Sequence, residues 1–177
     1  MTLWVFGYGS LLWNPGFAPV EAVRARLADY HRSFCMLSIH HRGTEADPGL
    51  VLALDAAPGG ACTGLAFRVA DSDAERVLAD LRARELISSA YVERHVPLSL
   101  DDGRQIEALA YVIEPGHVQY CQFDLETQAQ MIARASGGRG PNDEYLYNTA
   151  AHLDQMGIED ADMRWLVARV RDLTATR

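Results

Sequence analysis

Val5-Phe6-Gly7-Tyr8-Gly9-Ser10-Leu11-Leu12-Trp13 is the stretch from which the rest of the chain can be read. Val5 and Phe6, with Trp4 before them, read as the end of a buried strand. Gly7 and Gly9 then flank Tyr8, and Ser10 follows. Two glycines two positions apart let the backbone turn sharply and bring its N–H groups close to a bound group with no Cβ in the way. Successive exposed N–H groups form an anion-binding concavity. Tyr8 and Ser10 add hydroxyls that can donate or accept. Two readings stand side by side. One is a strand-to-loop cradle for a small carboxylate, and the other is a tight glycine turn after an N-terminal strand.

Downstream of this loop, Asn14-Pro15-Gly16 marks a turn. Between Val20 and Ala28, Val23, Ala25 and Leu27 alternate with polar or small residues, which favours a strand and leaves a short helix open. Phe34 to Ile39 reads as a further strand. Leu50–Leu54 and Cys62–Val69 are apolar runs separated by Pro58-Gly59-Gly60, the pattern of a hairpin. Asp71 or Ser72 opens the first clear helix, and Tyr91–Leu98 and Ile106–Ile113 are strands joined by Asp101-Asp102-Gly103. The last third reads as helical. Asp124 caps one helix, Asn142 caps a second that Gly157 stops, and Glu159 or Asp160 opens a third carrying Met163, Leu166, Val167, Val170 and Leu173 on one face. A β-rich first part with one inserted helix, followed by helices, predicts a single α+β domain over residues 1–177 with a curved or barrel-like sheet.

Composition excludes several classes of function. The formal net charge is −8, from 16 Lys and Arg against 24 Asp and Glu, so a nucleic-acid partner is not expected. Three widely spaced cysteines, Cys35, Cys62 and Cys121, make neither a disulfide framework nor a CxxC metal pattern. No run is long and apolar enough for a membrane span, and Trp4–Leu12 is too short for a secretory signal. A monomer in the reducing cytoplasm, without membrane attachment, is expected.

One residue breaks the pattern of its element. The stripe Ala74, Val77, Leu78, Leu81 continues one turn later to Glu85. A carboxylate at the end of a core-facing stripe is desolvated, paired, or set in the wall of a cavity. Desolvation raises its pKa, which suits a general acid/base at neutral pH. Pairing with Arg82, or a place beyond a frayed helix end, is the competing account. Other candidates are weaker. His40-His41 lacks a third metal ligand at useful spacing, Cys35 reads as a core thiol, and Ser10 lacks the G-x-S-x-G frame of a hydrolase nucleophile. Arg42 and Arg139 lie in glycine-bearing loops and could clamp a carboxylate, and Tyr145 and Asn148 fall three apart on one helix.

Taken together, Phe6-Gly7-Tyr8-Gly9-Ser10-Leu11-Leu12-Trp13-Asn14-Pro15, His41-Arg42-Gly43, Arg84-Glu85 and Asn142-Asp143-Glu144-Tyr145-Leu146 resemble the ChaC family of glutathione-specific γ-glutamylcyclotransferases. The resemblance implies a small mixed β-barrel with flanking helices and an active site at the barrel mouth. It implies cleavage of glutathione to 5-oxoproline and Cys-Gly, with no cofactor and no metal. It carries over Glu85 as the catalytic acid/base and Phe6, Gly7, Tyr8, Gly9, Ser10 and Leu11 as the loop holding the γ-glutamyl group. Arg42, Tyr91 and Tyr145 are expected to complete substrate binding. Some members have two glycines before the tyrosine that follows the catalytic glutamate, whereas here the segment is Leu86-Ile87-Ser88-Ser89-Ala90-Tyr91. A cyclotransferase acting on other γ-glutamyl peptides or amines, and a non-catalytic module that binds a γ-glutamyl metabolite, are the rival readings.

Overall fold

The computed structural model describes residues 2–86 and 90–175. Five strands, β1 (Leu3–Gly7), β2 (Glu21–Ser38), β3 (Gly49–Val69), β4 (Tyr91–Leu100) and β5 (Gln105–Ile113), close into a barrel in the order β1-β3-β2-β4-β5. β1 runs antiparallel to β3, with Leu3 opposite Val69 and Gly7 opposite Leu65. β4 and β5 form a hairpin from Tyr91↔Ile113 to Ser99↔Gln105, turning through Gly103 at φ 93°. The barrel closes where β1 meets β5 in parallel at Val5↔Leu109. The helices are α1 (Ala74–Glu85), α2 (Leu125–Arg134), α3 (Asn142–Gln155) and α4 (Ala161–Thr174), with a two-stranded ribbon of β6 (Ser136–Gly137) and β7 (Gly140–Pro141). This is the mixed barrel with flanking helices that the sequence predicts.

The chain divides into two compact units, residues 1–33 with 53–118, and residues 34–52 with 119–177. In the first, α1 lays Val77 and Leu81 onto a buried cluster with Val5, Leu11, Val69, Leu109 and Tyr111. Close packing accounts for Gly64 here: a Cβ on it would stand 2.2 Å from the Gly7 carbonyl oxygen and 3.0 Å from two carbons of the Phe6 ring. In the second unit the Glu126 carboxylate takes three contacts from Arg169, at 2.8 to 3.2 Å, and so ties α2 to α4. The Asp124 and Asp160 side chains accept from the N–H groups of Thr127 and Met163 and cap α2 and α4, as their positions predict.

Three elements differ from expectation. The ambiguous segment at Val20–Ala28 and the strand at Phe34–Ile39 are one continuous strand, β2, which ends at Ser38. Its inward face changes parity on the way. Ala25 and Leu27 are buried before Asp29, and Arg32, Phe34, Met36 and Ser38 after it. Asp29 itself has φ 69°, a left-handed residue of the kind that reverses which side chains face the core. Likewise Pro58-Gly59-Gly60 does not end a hairpin. β3 runs through it, with the distortion taken up at Gly59 (φ 82°), whose N–H donates to Asp29 at 3.0 Å. Finally, Asn142 is not a cap. Pro141 holds that position, and the Asn142 side chain turns inward to the backbone of Leu50.

Candidate active site

β1 hands on at Gly7 to a loop that ends in a 3-10 turn, Ser10–Leu12. Gly7 is needed for close approach, since a Cβ would lie 2.9 Å from the Phe67 ring and 3.3 Å from the backbone at Leu11 and Leu12. The turn is closed by Leu12 N–H to the Gly9 carbonyl at 2.9 Å and by Asn14 N–H to the Ser10 carbonyl at 2.9 Å. As at any helix start, the N–H groups of Ser10 and Leu11 have no acceptor inside the turn. The stretch is thus a tight glycine turn after an N-terminal strand, closed by these two bonds.

The loop is held from below by a residue that sequence reasoning passed over. Arg32 is buried, and its guanidinium donates to the carbonyl of Tyr8 and to that of Thr63, both at 2.6 Å. A buried cation answering two backbone carbonyls is a strong local clamp. Its signal was present in the spacing, because Arg32 precedes Phe34 and Met36 at intervals of two and so shares their inward face. The parity change at Asp29 hides this from a pattern carried on from Ala25 and Leu27.

Glu85 is the last residue of α1 and its side chain is only 15% exposed. Burial pushes its carboxyl above the ordinary carboxylate range, and the neighbouring Arg84 pulls it partly back. The competing account, an ion pair with Arg82, does not hold. Arg82 turns to Glu93 on β4 with two bonds of 3.0 Å, and Tyr111 on β5 donates to the same carboxylate at 3.0 Å. Arg82 and the Tyr111 hydroxyl hold Glu93 below its usual range despite partial burial. Two carboxylates at the foot of α1 are thus pushed in opposite directions, one towards the acid and one towards the ion.

Arg84 links Glu85 to the loop. Its Nε lies 3.4 Å from Glu85 Oε1, one terminal nitrogen donates to the Asn14 carbonyl at 2.6 Å, and the other to Ser10 Oγ at 3.0 Å. The structure therefore brings together Ser10, Arg84 and Glu85. Leu11 and Tyr91 pack with the Val5–Tyr111 cluster, and Tyr8 is buried. Phe6 is fully buried, so its side chain belongs to the core and not to a binding surface. Ile87, Ser88 and Ser89, where the chain departs from the two-glycine pattern, lie outside the described residues.

Arg42 and Tyr145 belong to the second unit. The Tyr145 hydroxyl accepts from Leu52 N–H at 3.2 Å, its ring meets Phe34 edge-on at 6.1 Å, and Arg42 lies over it at 5.8 Å. Arg42 also donates to the Pro141 carbonyl at 3.1 Å. His40 and His41 are engaged through their backbone: their carbonyls accept from Gly138 and Arg139 N–H at 2.7 and 2.8 Å. Among the described residues no group of three His, Cys, Asp or Glu side chains stands where it could hold a metal ion. Among the same described residues no helix is long and apolar enough to cross a membrane.

The raised Glu85 carboxyl has a consequence for stability. Folding makes this group bind its proton more tightly, so its contribution is complete below the unfolded carboxylate range and is lost as pH rises through the raised value. Glu85→Gln cannot ionise. It is expected to melt higher than the parent at pH 7, with the gap closing as pH falls below about 4. Thermal unfolding at the two pH values checks this; equal melting at pH 7 would mean that the buried charge carries no penalty.

With this geometry in view, the fold can be assigned to the γ-glutamylcyclotransferase class. It aligns with a crystal structure of a glutathione-specific γ-glutamylcyclotransferase from yeast at a TM-score of 0.87 and 22% identity, over 99% of this chain and 98% of that one. Sequence comparison then gives the family. A family model described as ChaC-like protein matches residues 3–173. A relative from Escherichia coli (strain K12), named glutathione-specific gamma-glutamylcyclotransferase, is 38% identical over 98% of this chain and 74% of its own length. Gamma-glutamylcyclotransferase 2-1 of Arabidopsis thaliana is 35% identical over 97% of this chain and 83% of its own. The chain belongs to the ChaC family.

Proposed function

We propose that this protein is a γ-glutamylcyclotransferase that cleaves glutathione to 5-oxoproline and Cys-Gly. The observation that carries the reading is the mostly buried Glu85 carboxyl at the end of α1, joined through Arg84 to the loop that follows β1. The Escherichia coli relative, named for glutathione, supports the choice of substrate, and the Arabidopsis thaliana relative supports the cyclotransferase reaction.

The reaction is an intramolecular acyl transfer. The substrate's α-amine attacks its own γ-carbonyl, a C–N bond closes a five-membered ring, and the bond from that carbonyl to the cysteine nitrogen breaks. The products together contain all the atoms of glutathione, so no water is consumed. The α-ammonium first gives up a proton to become nucleophilic. During ring closure the attacking nitrogen loses a second proton, and the departing nitrogen gains both and leaves as the ammonium of Cys-Gly. Glu85 takes the proton as carboxylate and returns it as acid, a role that suits a carboxyl raised by burial. In this reading the N–H groups of Ser10 and Leu11, which have no acceptor inside the turn, hold the substrate carboxylate or the developing oxyanion, with Gly9 before them. Holding amine and carbonyl in contact supplies much of the acceleration in a reaction of this kind. The buried thiols Cys35, Cys62 and Cys121 fit a reducing compartment, and a cytoplasmic monomer is part of this reading.

The purified protein should release 5-oxoproline from reduced glutathione and not from γ-Glu-Ala or γ-glutamyl-lysine, as read by mass spectrometry. Equal release from the latter two would widen the substrate to γ-glutamyl amines in general. No release from any of the three would leave a binding module.

A further inference from the structure

Arg84 reaches three partners with one side chain. Asn14 and Ser10 sit at the two ends of the turn that closes the loop, and Glu85 is its neighbour on the helix. A guanidinium is planar and directs its N–H groups in a fixed fork. The 2.6 Å bond to the Asn14 carbonyl and the 3.0 Å bond to Ser10 Oγ therefore fix the plane of the group. They also fix where Nε meets the Glu85 carboxylate. Arginine has donors only, so Ser10 must accept in this contact. Its own O–H is left to be given to another group.

We propose that Arg84 is a positioning residue: it sets the Ser10 hydroxyl as a donor towards substrate and holds the Glu85 carboxylate in register with the Ser10–Asn14 loop. The inference rests on the reading of Glu85 as the acid/base. Two properties of the guanidinium contribute differently. Its charge moderates the upward push of burial on Glu85. Its fork carries the alignment, and a lysine ammonium, a single point of charge, does not reproduce it. Among the described residues Arg82, Glu93 of β4 and Tyr111 of β5 are bound to one another. Among these described residues Arg84 is the cation in contact with Glu85.

The test uses Arg84→Gln and Arg84→Lys in the full chain, with circular dichroism to confirm folding. Arg84→Gln should lower kcat about 10- to 100-fold, the scale of a misaligned catalytic group, and move the acidic limb of the pH profile upward. Arg84→Lys should return the limb towards the parent's while leaving kcat low. Ser10→Ala combined with Arg84→Gln should cost less than the sum of the two, since both break one contact. A carboxyl titration of Glu85 by carbon NMR, without substrate, reads the same upward shift independently of turnover. An Arg84→Lys variant as active as the parent would overturn the role of the fork. An unmoved Glu85 titration in Arg84→Gln would overturn the coupling to the carboxylate. A parent that makes no 5-oxoproline would sink the proposed reaction, and the titration would still judge Arg84.

Discussion

Glu85→Gln is expected to lower kcat for 5-oxoproline release from glutathione by about 10²- to 10⁴-fold, the range that a general acid/base supplies. The amide keeps the shape of the carboxyl and can still face Arg84 at the end of α1. What it lacks is a proton that it can exchange. The barrel should be intact, because Glu85 lies at the rim of the buried cluster and not within it. The variant should also keep its affinity for substrate, since the loop N–H groups and Ser10 do not depend on the charge of residue 85. Binding of glutathione by calorimetry and single-turnover release of 5-oxoproline separate these effects. Turnover within about threefold of the parent would remove Glu85 from the mechanism. A melting point that rises at pH 7 while turnover collapses is the pairing expected where a costly buried charge is kept for chemistry.

The second large effect is on stability. Asn142 is fully buried, its Oδ1 accepts from Leu50 N–H at 2.8 Å, and its Nδ2 donates to the Leu50 carbonyl at 2.9 Å. One side-chain amide thus completes both polar groups of a buried residue in β3. Asn142→Ala strands that donor and that acceptor at once, and a stranded buried polar group costs about 1–3 kcal/mol. The loss should therefore be about 2–6 kcal/mol by urea denaturation, a large part of a domain's usual margin. Asn142→Asp keeps the acceptor and removes the donor, placing a carboxylate against the Leu50 carbonyl. Its loss should deepen as pH rises, because the new carboxyl is forced to ionise while buried. An Asn142→Ala midpoint equal to the parent's would mean that the Leu50 backbone finds other partners. The close fit also accounts for Gly49, where a Cβ would stand 2.4 Å from the Arg42 carbonyl and 2.8 Å from Asn142 Oδ1.

What the sequence disclosed and what it concealed follow the range of the forces involved. Periodicity within one helix places Val77, Leu81 and Glu85 on one face, and the structure buries Val77 and Leu81 and most of the Glu85 side chain. Capping is equally local, so Asp124 and Asp160 act where they were expected. Asn142 shows the limit of such reasoning: it has the residue type of a cap, yet its partner is Leu50, far away in sequence. Arg32 was missed for the same reason, since its acceptors lie far off in sequence, Tyr8 in the loop after β1 and Thr63 in β3, and the reversal at Asp29 masks its inward face. The partition of Arg82 to Glu93 and Arg84 to Ser10 was equally out of reach. Both arginines look alike along the helix, and only the strand and loop beside each decide between them.

The barrel's parallel seam at Val5↔Leu109 sets an order of events during synthesis. β1 leaves the ribosome first, yet its partner across the seam is the last of the barrel strands to emerge. Contacts between distant parts of a chain form late because the intervening segment must first be closed into a loop. A nascent chain that stops short of β5 holds both the glycine loop and Glu85, but it lacks the strand that closes the barrel against β1 and supplies Leu109 and Tyr111 to the buried cluster. The barrel thus closes only when the fifth strand docks.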